Sequence, residues 1–343
     1  MGKRRTVVHH RTFGRATVTT GRRPIVIVGL PRSGTTWSIR VLGAGTGCRR
    51  VLEPDNEDHN PAAIQAKKRL GRYPLLAPGD KNDGYRQLWE WILNGAYEGT
   101  RARRARQLLA KGGSERIFEG KPDVMAWAAG VVARGPNPAT PPPDGVPPER
   151  VITKSIHAQL SLEWVTSEFD VDTLVLLRHP ANVLASWMAV NLKDSRNSTL
   201  ETRPEIRKRY IEPWGVPLPG PDPIERMSWR IGLLIAALED AVRRNPSWQV
   251  RVHEDLCVDP TVKFRALYDS FDLPWTEATE SFLHENDRPG DGFMTRRVAS
   301  DLPQAWQQKL DDTQVATLRR VLAQFPIASW SDQDFERTTP RPT

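Results

Sequence analysis

Gly29, Pro31, Arg32, Ser33, Gly34, Thr35 and Thr36 fall within eight positions, a combination suited to gripping a tetrahedral oxyanion. Arg32 offers a planar, permanently charged fork of donors. Gly29 and Gly34 allow backbone conformations that a β-carbon penalises. An apolar run precedes the loop and a helix-compatible segment follows it, so the loop amides converge where a helix begins. Unpaired N–H groups and the positive end of the helix dipole favour an anion there. The interval from Gly29 to Gly34 matches the first half of the phosphate-loop pattern G-x-x-x-x-G-K-[ST], but Thr35 stands at the lysine position. In nucleotide-cleaving enzymes that lysine reaches the γ-phosphate and the next hydroxyl holds magnesium. With Thr35 there and the cation placed earlier, the loop suits a diester-like or terminally sulfonated phosphate that needs no metal.

Further candidates follow downstream. Glu53 ends a short apolar segment and is placed to act as a general base, provided a dry pocket lifts its carboxyl above about 4.3. It is equally placed to cap a turn or pair with an arginine. Lys154 closes the run Val151-Ile152-Thr153, where an ammonium offsets negative charge on a departing phosphate or a transferring group. His157, just beyond, is a reserve base or a structural histidine. Arg178 ends the apolar run 174–177, Pro180 suits the first turn of a helix, and Ser186 lies about two turns into it. Arg178 and Ser186 therefore reach one anion from two directions, through a charge-assisted fork and a hydroxyl.

The segment Pro31-Arg32-Ser33-Gly34-Thr35-Thr36-Trp37 resembles the 5′-phosphosulfate-binding loop of sulfotransferases that use 3′-phosphoadenylyl sulfate, PAPS. It is nearest the arginine-containing version of the carbohydrate-type and bacterial members. The resemblance implies that residues 31–37 hold the donor, and that Arg178 with Ser186 eight positions on binds its 3′-phosphate. Glu53-Pro54 after the second strand resembles the pair in which the Glu is the proposed base of those members. Lys154 resembles the lysine of the Lys-Thr-His element of cytosolic sulfotransferases, whose histidine is the base. Here His157 falls one residue later, and a one-residue shift in an extended chain turns a side chain to the opposite face. Arg296 and Arg297 occupy the region where family members bring a C-terminal loop over the nucleotide. Either contacts the 3′-phosphate or faces solvent. The resemblance spans roughly residues 24–325. It implies sulfuryl transfer from PAPS to an acceptor hydroxyl, with Arg32, Glu53 and Lys154 as the catalytic groups and no metal. Carbohydrates, glycolipids and small hydroxylated metabolites all remain possible acceptors.

To converge, these residues need an α/β fold: a phosphate-loop-like open parallel sheet with helices on both faces, forming a single domain over residues 24–330. In such a sheet, ligands sit beyond the carboxyl ends of the strands. Strands are expected at 25–28, 50–52, 151–154, 174–177 and 249–252. One helix is expected to start near Thr35, and another at Asp222-Pro223-Ile224-Glu225, which carries a cap, a first-turn proline and an acidic third position. Residues 55–130 and 192–221 read as insertions facing the acceptor, the first mostly helical, and Trp89, Trp91 and Tyr97 serve core packing or acceptor stacking. The proline-rich 134–149 is a loop or lid, because proline lacks the donor that helices and central strands need. Residues 306–318 suggest a closing helix, while 1–23 and 331–343 are polar tails.

Composition narrows the partners. The chain has 343 residues, with 49 Lys and Arg against 41 Asp and Glu, a net charge of +8. An anionic small molecule suits that balance. A basic nucleic-acid-binding protein is the non-enzyme alternative, but no recognition module is visible and nucleic acid is not expected as a partner. A phosphate-loop kinase is the enzyme alternative, and Thr35 speaks against it. Cys48 and Cys257 are too far apart to suggest a disulfide framework or a metal knuckle. No secretion-signal core and no run of membrane-spanning length occurs, so a cytoplasmic protein is expected. Nothing in the sequence encodes an oligomeric state.

Overall fold

The computed structural model describes residues 22–58, 60–94, 150–190, 200–287 and 299–337. Arg296, Arg297, Tyr97 and the proline-rich segment lie outside the described residues, as do most of the two tails.

Among the described residues, five parallel strands form one sheet: β1 (Ile25–Gly29), β2 (Arg49–Leu52), β3 (Val151–Ser155), β4 (Asp172–Leu177) and β5 (Gln249–Val252), in the order β2-β3-β1-β4-β5. The unbroken apolar run of β1 is explained by its central place. Val26 and Val28 enter one core, while Ile25 and Ile27 enter the other, so both faces are covered. The chain therefore has the α/β fold expected of it, with the carboxyl ends of all the strands along one edge.

On the face of Ile25 and Ile27 lies α1 (Thr35–Leu42), joined there by the later helices α8 (Pro260–Ser270) and α9 (Glu277–Asn286). The opposite face carries α3 (Asp83–Leu93), α4 (Leu162–Glu168), α5 (Pro180–Ala189) and the long α6 (Pro223–Arg244). Asp222 caps α6 by accepting from the Glu225 amide at 2.8 Å, with Pro223 in the first turn, as the sequence signals require.

Three local expectations are modified. In the first insertion only α2 (Pro61–Ala66) and α3 are helical among the described residues, and residues 67–82 join them through turns and irregular chain. In the second, residues 204–214 are helical and widen to a π-turn at Arg207–Ile211 before Gly215, whose φ of 66° ends them. The closing helix is two: α10 (Trp306–Lys309) and α11 (Asp312–Leu322). Asp311 interrupts them because its side chain accepts from the Gln314 amide while Gln314 returns the bond, a reciprocal cap that starts a new helix. Between β5 and α8 sits the short α7 (His253–Val258). Among the described residues, no helix is long and apolar enough to cross a membrane.

At the amino-terminal edge of the sheet, buried Arg150 ties three segments together. Its guanidinium donates to the carbonyls of Arg23 and Phe271 and pairs with the Asp172 carboxylate. The far edge is thereby fixed, and the carboxyl edge is left to the side chains with chemistry.

Candidate active site

The loop after β1 is held from its carbonyl side. The carbonyl oxygens of Gly29, Leu30, Pro31 and Arg32 accept, in turn, from the Gln159 side-chain amide at 2.8 Å, the Ser33 amide at 3.0 Å, the Trp187 indole at 2.9 Å and the Arg178 guanidinium. Pro31 has no N–H and the Ser33 amide is spent on Leu30, so the backbone donors the loop offers to an anion are those at the start of α1. Arg32 takes φ 72° and Gly34 takes φ 84°, so the loop winds through two left-handed residues before α1 begins. A non-glycine residue there costs roughly 1–2 kcal/mol. Gly34 has a second reason to be glycine: a β-carbon would lie 2.3 Å from Nδ1 of His253. No side chain caps α1, and its first turn carries no acidic residue. Ser33 is fully buried, and among the described residues its hydroxyl has no hydrogen-bond partner.

The second anion motif joins the first. Nε of Arg32 donates to the Ser186 hydroxyl at 3.0 Å, while Arg178 holds the Arg32 carbonyl. Arg32, Ser186 and Arg178 thereby form one connected cluster. Glu254, in the first turn of α7, fixes Arg178 from behind. Its carboxylate lies 3.6 Å from Nε of Arg178 and accepts from the His179 amide at 3.0 Å and the Asn182 side chain at 2.8 Å. Glu254 is not among the candidates drawn from the sequence, although a carboxylate at the end of the last strand was the available signal.

Glu53 and Lys154 also meet. The Glu53 amide donates to the Lys154 carbonyl at 3.0 Å, extending the β2–β3 ladder by one residue, and then φ 48° turns the chain away. This strained backbone delivers the carboxylate to the ammonium of Lys154, with which it forms an ion pair. Lys154 lies two residues after Ile152 on the strand and shares its face, so it projects onto the α1 side, and its Nζ lies 3.5 Å from the Thr35 hydroxyl. The neighbouring strand thereby supplies a cation beside the position where the loop itself has threonine. The other carboxylate oxygen of Glu53 accepts from the Asn56 side chain at 2.7 Å.

His157 stands apart from this pair. It is buried, with Nδ1 3.5 Å from a Glu57 oxygen and its ring edge-on to Tyr73. Nearby, the Ser155 hydroxyl donates to Asp55 at 2.6 Å, and Lys67 donates to the Asp55 carbonyl at 3.0 Å and pairs with Glu57 at 2.9 Å. Burial pushes the Asp55 carboxyl up, with Lys67 opposing that shift, and burial likewise pulls the Lys67 ammonium down. His253 packs edge-on against Trp37, with Nε2 3.6 Å from the Cys257 sulfur. Trp89 is wholly buried, consistent with packing, whereas Trp91 is exposed.

No known family profile matches the chain, and no curated protein matches it. Solved structures similar to it include the sulfotransferase domain from the curacin biosynthetic pathway, at 14% identity over 90% of this chain and 100% of that one, with a TM-score of 0.45. A sulfotransferase from Mycobacterium avium aligns at 16% identity over 91% of this chain and 78% of its own, with a TM-score of 0.40. Retinol dehydratase in complex with retinol and PAP aligns at 14% identity over 95% of this chain and 85% of its own, with a TM-score of 0.35.

Proposed function

We propose that the chain is a PAPS-dependent sulfotransferase acting on an acceptor hydroxyl. The observation that carries this reading is the convergence of Arg32, Ser186 and Arg178 in one cluster beside the carbonyl-anchored loop, with the Glu53–Lys154 pair reaching the same loop at Thr35. The residues fit the donor's anionic groups. Uncapped amides at the start of α1 and the unpartnered buried hydroxyl of Ser33 suit a phosphate, and two guanidinium groups in one cluster suit a ligand with more than one anionic centre.

When bound, PAPS supplies an activated sulfuryl group attached to its 5′-phosphate. Pro31, Arg32, Ser33, Gly34, Thr35, Thr36 and Trp37 form its 5′ side, and Arg178 with Ser186 its 3′ side. Arg296 and Arg297 are further candidates for the latter. Glu53 accepts the proton released by the acceptor hydroxyl. Lys154 and Arg32 offset negative charge at the phosphate. Holding these charges in place before the reactants meet is the main source of acceleration. A single domain over residues 24–330 and a cytoplasmic setting belong to the same proposal.

The test is a pair of measurements. Calorimetric titration with adenosine 3′,5′-bisphosphate is expected to show binding, and labelled sulfate is expected to pass from PAPS to a member of a panel of sugars, glycolipids and small alcohols. Glu53→Gln should abolish the transfer while keeping the bisphosphate affinity. Preferential binding of ATP with magnesium would replace the proposal with a phosphotransferase. Binding of DNA or RNA that weakens steeply with salt and ignores the bisphosphate would replace it with nucleic-acid recognition.

A further inference from the structure

We infer that Asn56 is a positioning residue for Glu53, fixing the direction of its carboxylate independently of Lys154. The inference rests on the proposed role of Glu53 as base and adds the group that aims it. Asn56 is buried, and its amide orientation is set from both ends. Its side-chain oxygen accepts from the Asp58 amide at 3.0 Å, which turns the NH2 group toward Glu53, 2.7 Å away. Its main chain is equally engaged, with the N–H donating to the Glu53 carbonyl at 3.1 Å and the carbonyl accepting from Asn60 at 2.9 Å. Asn60 in turn caps α2 through the Ala62 amide and donates to the Pro54 carbonyl. Asn56 therefore belongs to a turn closed on itself and anchored to a helix.

Lys154 differs in kind. An ammonium on a flexible stem is a point charge without a fixed direction. It lies between Glu53 and Thr35, so it has two neighbours to serve. An anion held by the loop draws it toward Thr35. Asn56 then remains as a directional donor to Oε2, and Oε1, the oxygen that faced Lys154, is the one to receive a proton. An amide neither gains nor loses a proton in this range, so Asn56 orients the base without competing with it.

Among the described residues, Lys154 on β3 pairs with Glu53, while Asp55, Glu57, Lys67 and the imidazole of His157, on the adjoining turn, the end of α2 and the β3–α4 connection, interact with one another. A donor to the ionised carboxylate favours that form, and a second carboxylate in its place opposes it. The test follows the carboxyl carbon-13 resonance of Glu53 against pH in glutamate-labelled full-length protein, with the signal identified by its disappearance in Glu53→Gln. Asn56→Ala is expected to move the midpoint to higher pH, and the isosteric Asn56→Asp to move it further. Circular dichroism checks the fold, and the same titration is repeated with adenosine 3′,5′-bisphosphate, where the Asn56→Ala displacement should be larger because Lys154 has turned away. An unchanged midpoint in folded Asn56→Ala and Asn56→Asp overturns the inference. Undiminished sulfate transfer by Glu53→Gln overturns the parent reading instead, whatever the resonance does.

Discussion

Arg178 donates from its guanidinium to the main-chain carbonyl of Arg32, so the cation of one anion motif fixes the backbone of the other. Arg178→Ala should therefore weaken adenosine 3′,5′-bisphosphate twice over, by removing a ligand contact and by releasing the loop. A hydrogen bond to a charged group is worth about 1.5–3 kcal/mol, so a loss of roughly 10- to 100-fold is expected in a calorimetric titration. Arg178→Lys keeps the charge but loses the fork and should recover only part of it. Unaltered affinity in Arg178→Ala would detach this residue from the donor site.

Gly34 combines a left-handed backbone with close approach of the His253 ring. Gly34→Ala is expected to lower the melting temperature and to abolish bisphosphate binding, because the loop must shift to relieve the overlap. Adding His253→Ala removes the overlap but leaves the backbone cost of about 1–2 kcal/mol. The double variant should thus regain part of the melting temperature lost by the single one. Equal thermal stability of Gly34→Ala and the wild type would contradict both arguments.

Burial, reinforced by the nearby Arg178 cation, pushes His253 well below its ordinary 6.5. A group depressed in the folded state contributes stability that is present above its unfolded value and is lost as pH falls through the folded one. Below pH 6.5 the wild type should lose stability more steeply than His253→Gln, as read from denaturant midpoints at a series of pH values. His179, also pulled down by burial, contributes with the same sign in both proteins and cancels from the difference. Parallel curves would show that His253 is not buried as a neutral group.

Cys257 is buried, and desolvation pushes its thiol up to about 12, with Glu254 adding to the effect. Cys48 is half-buried. Iodoacetamide at neutral pH is expected to modify native protein at Cys48 and to reach Cys257 only after denaturation, since the thiolate is the nucleophile. Mass spectrometry of digested protein separates the two sites, and rapid native labelling of Cys257 would contradict its placement.

Much of the scaffold was legible because it depends on short-range patterns. The apolar run before Gly29, the turn residues at 29–34 and the Asp222-Pro223 helix start each state their local structure, and the structure follows them. Glu53 and Lys154 were identified separately, but their pairing was not, since residues about a hundred positions apart meet only through strand register. Glu254 was hidden for a related reason: its neighbours His179 and Asn182 belong to another segment, and only the β4–β5 pairing brings them together. Asn56 was visible as a letter beside Glu53, yet its role depends on a positive φ at a non-glycine residue, which no propensity announces. The single closing helix was misjudged because an apolar spacing continues through Leu310 and Val315 while the reciprocal cap at Asp311 breaks the backbone.

The four anchored carbonyls of the loop after β1 have a consequence for anyone transplanting it. Gln159, Trp187 and Arg178 come from β3's exit, α5 and the end of β4, and none travels with the heptapeptide at 31–37. Grafted alone onto another strand-to-helix junction, that peptide would carry its letters without the tethers that give them shape. The anion affinity proposed for the loop would in this sense be owned by the neighbourhood, and a successful transfer must move those three side chains as well.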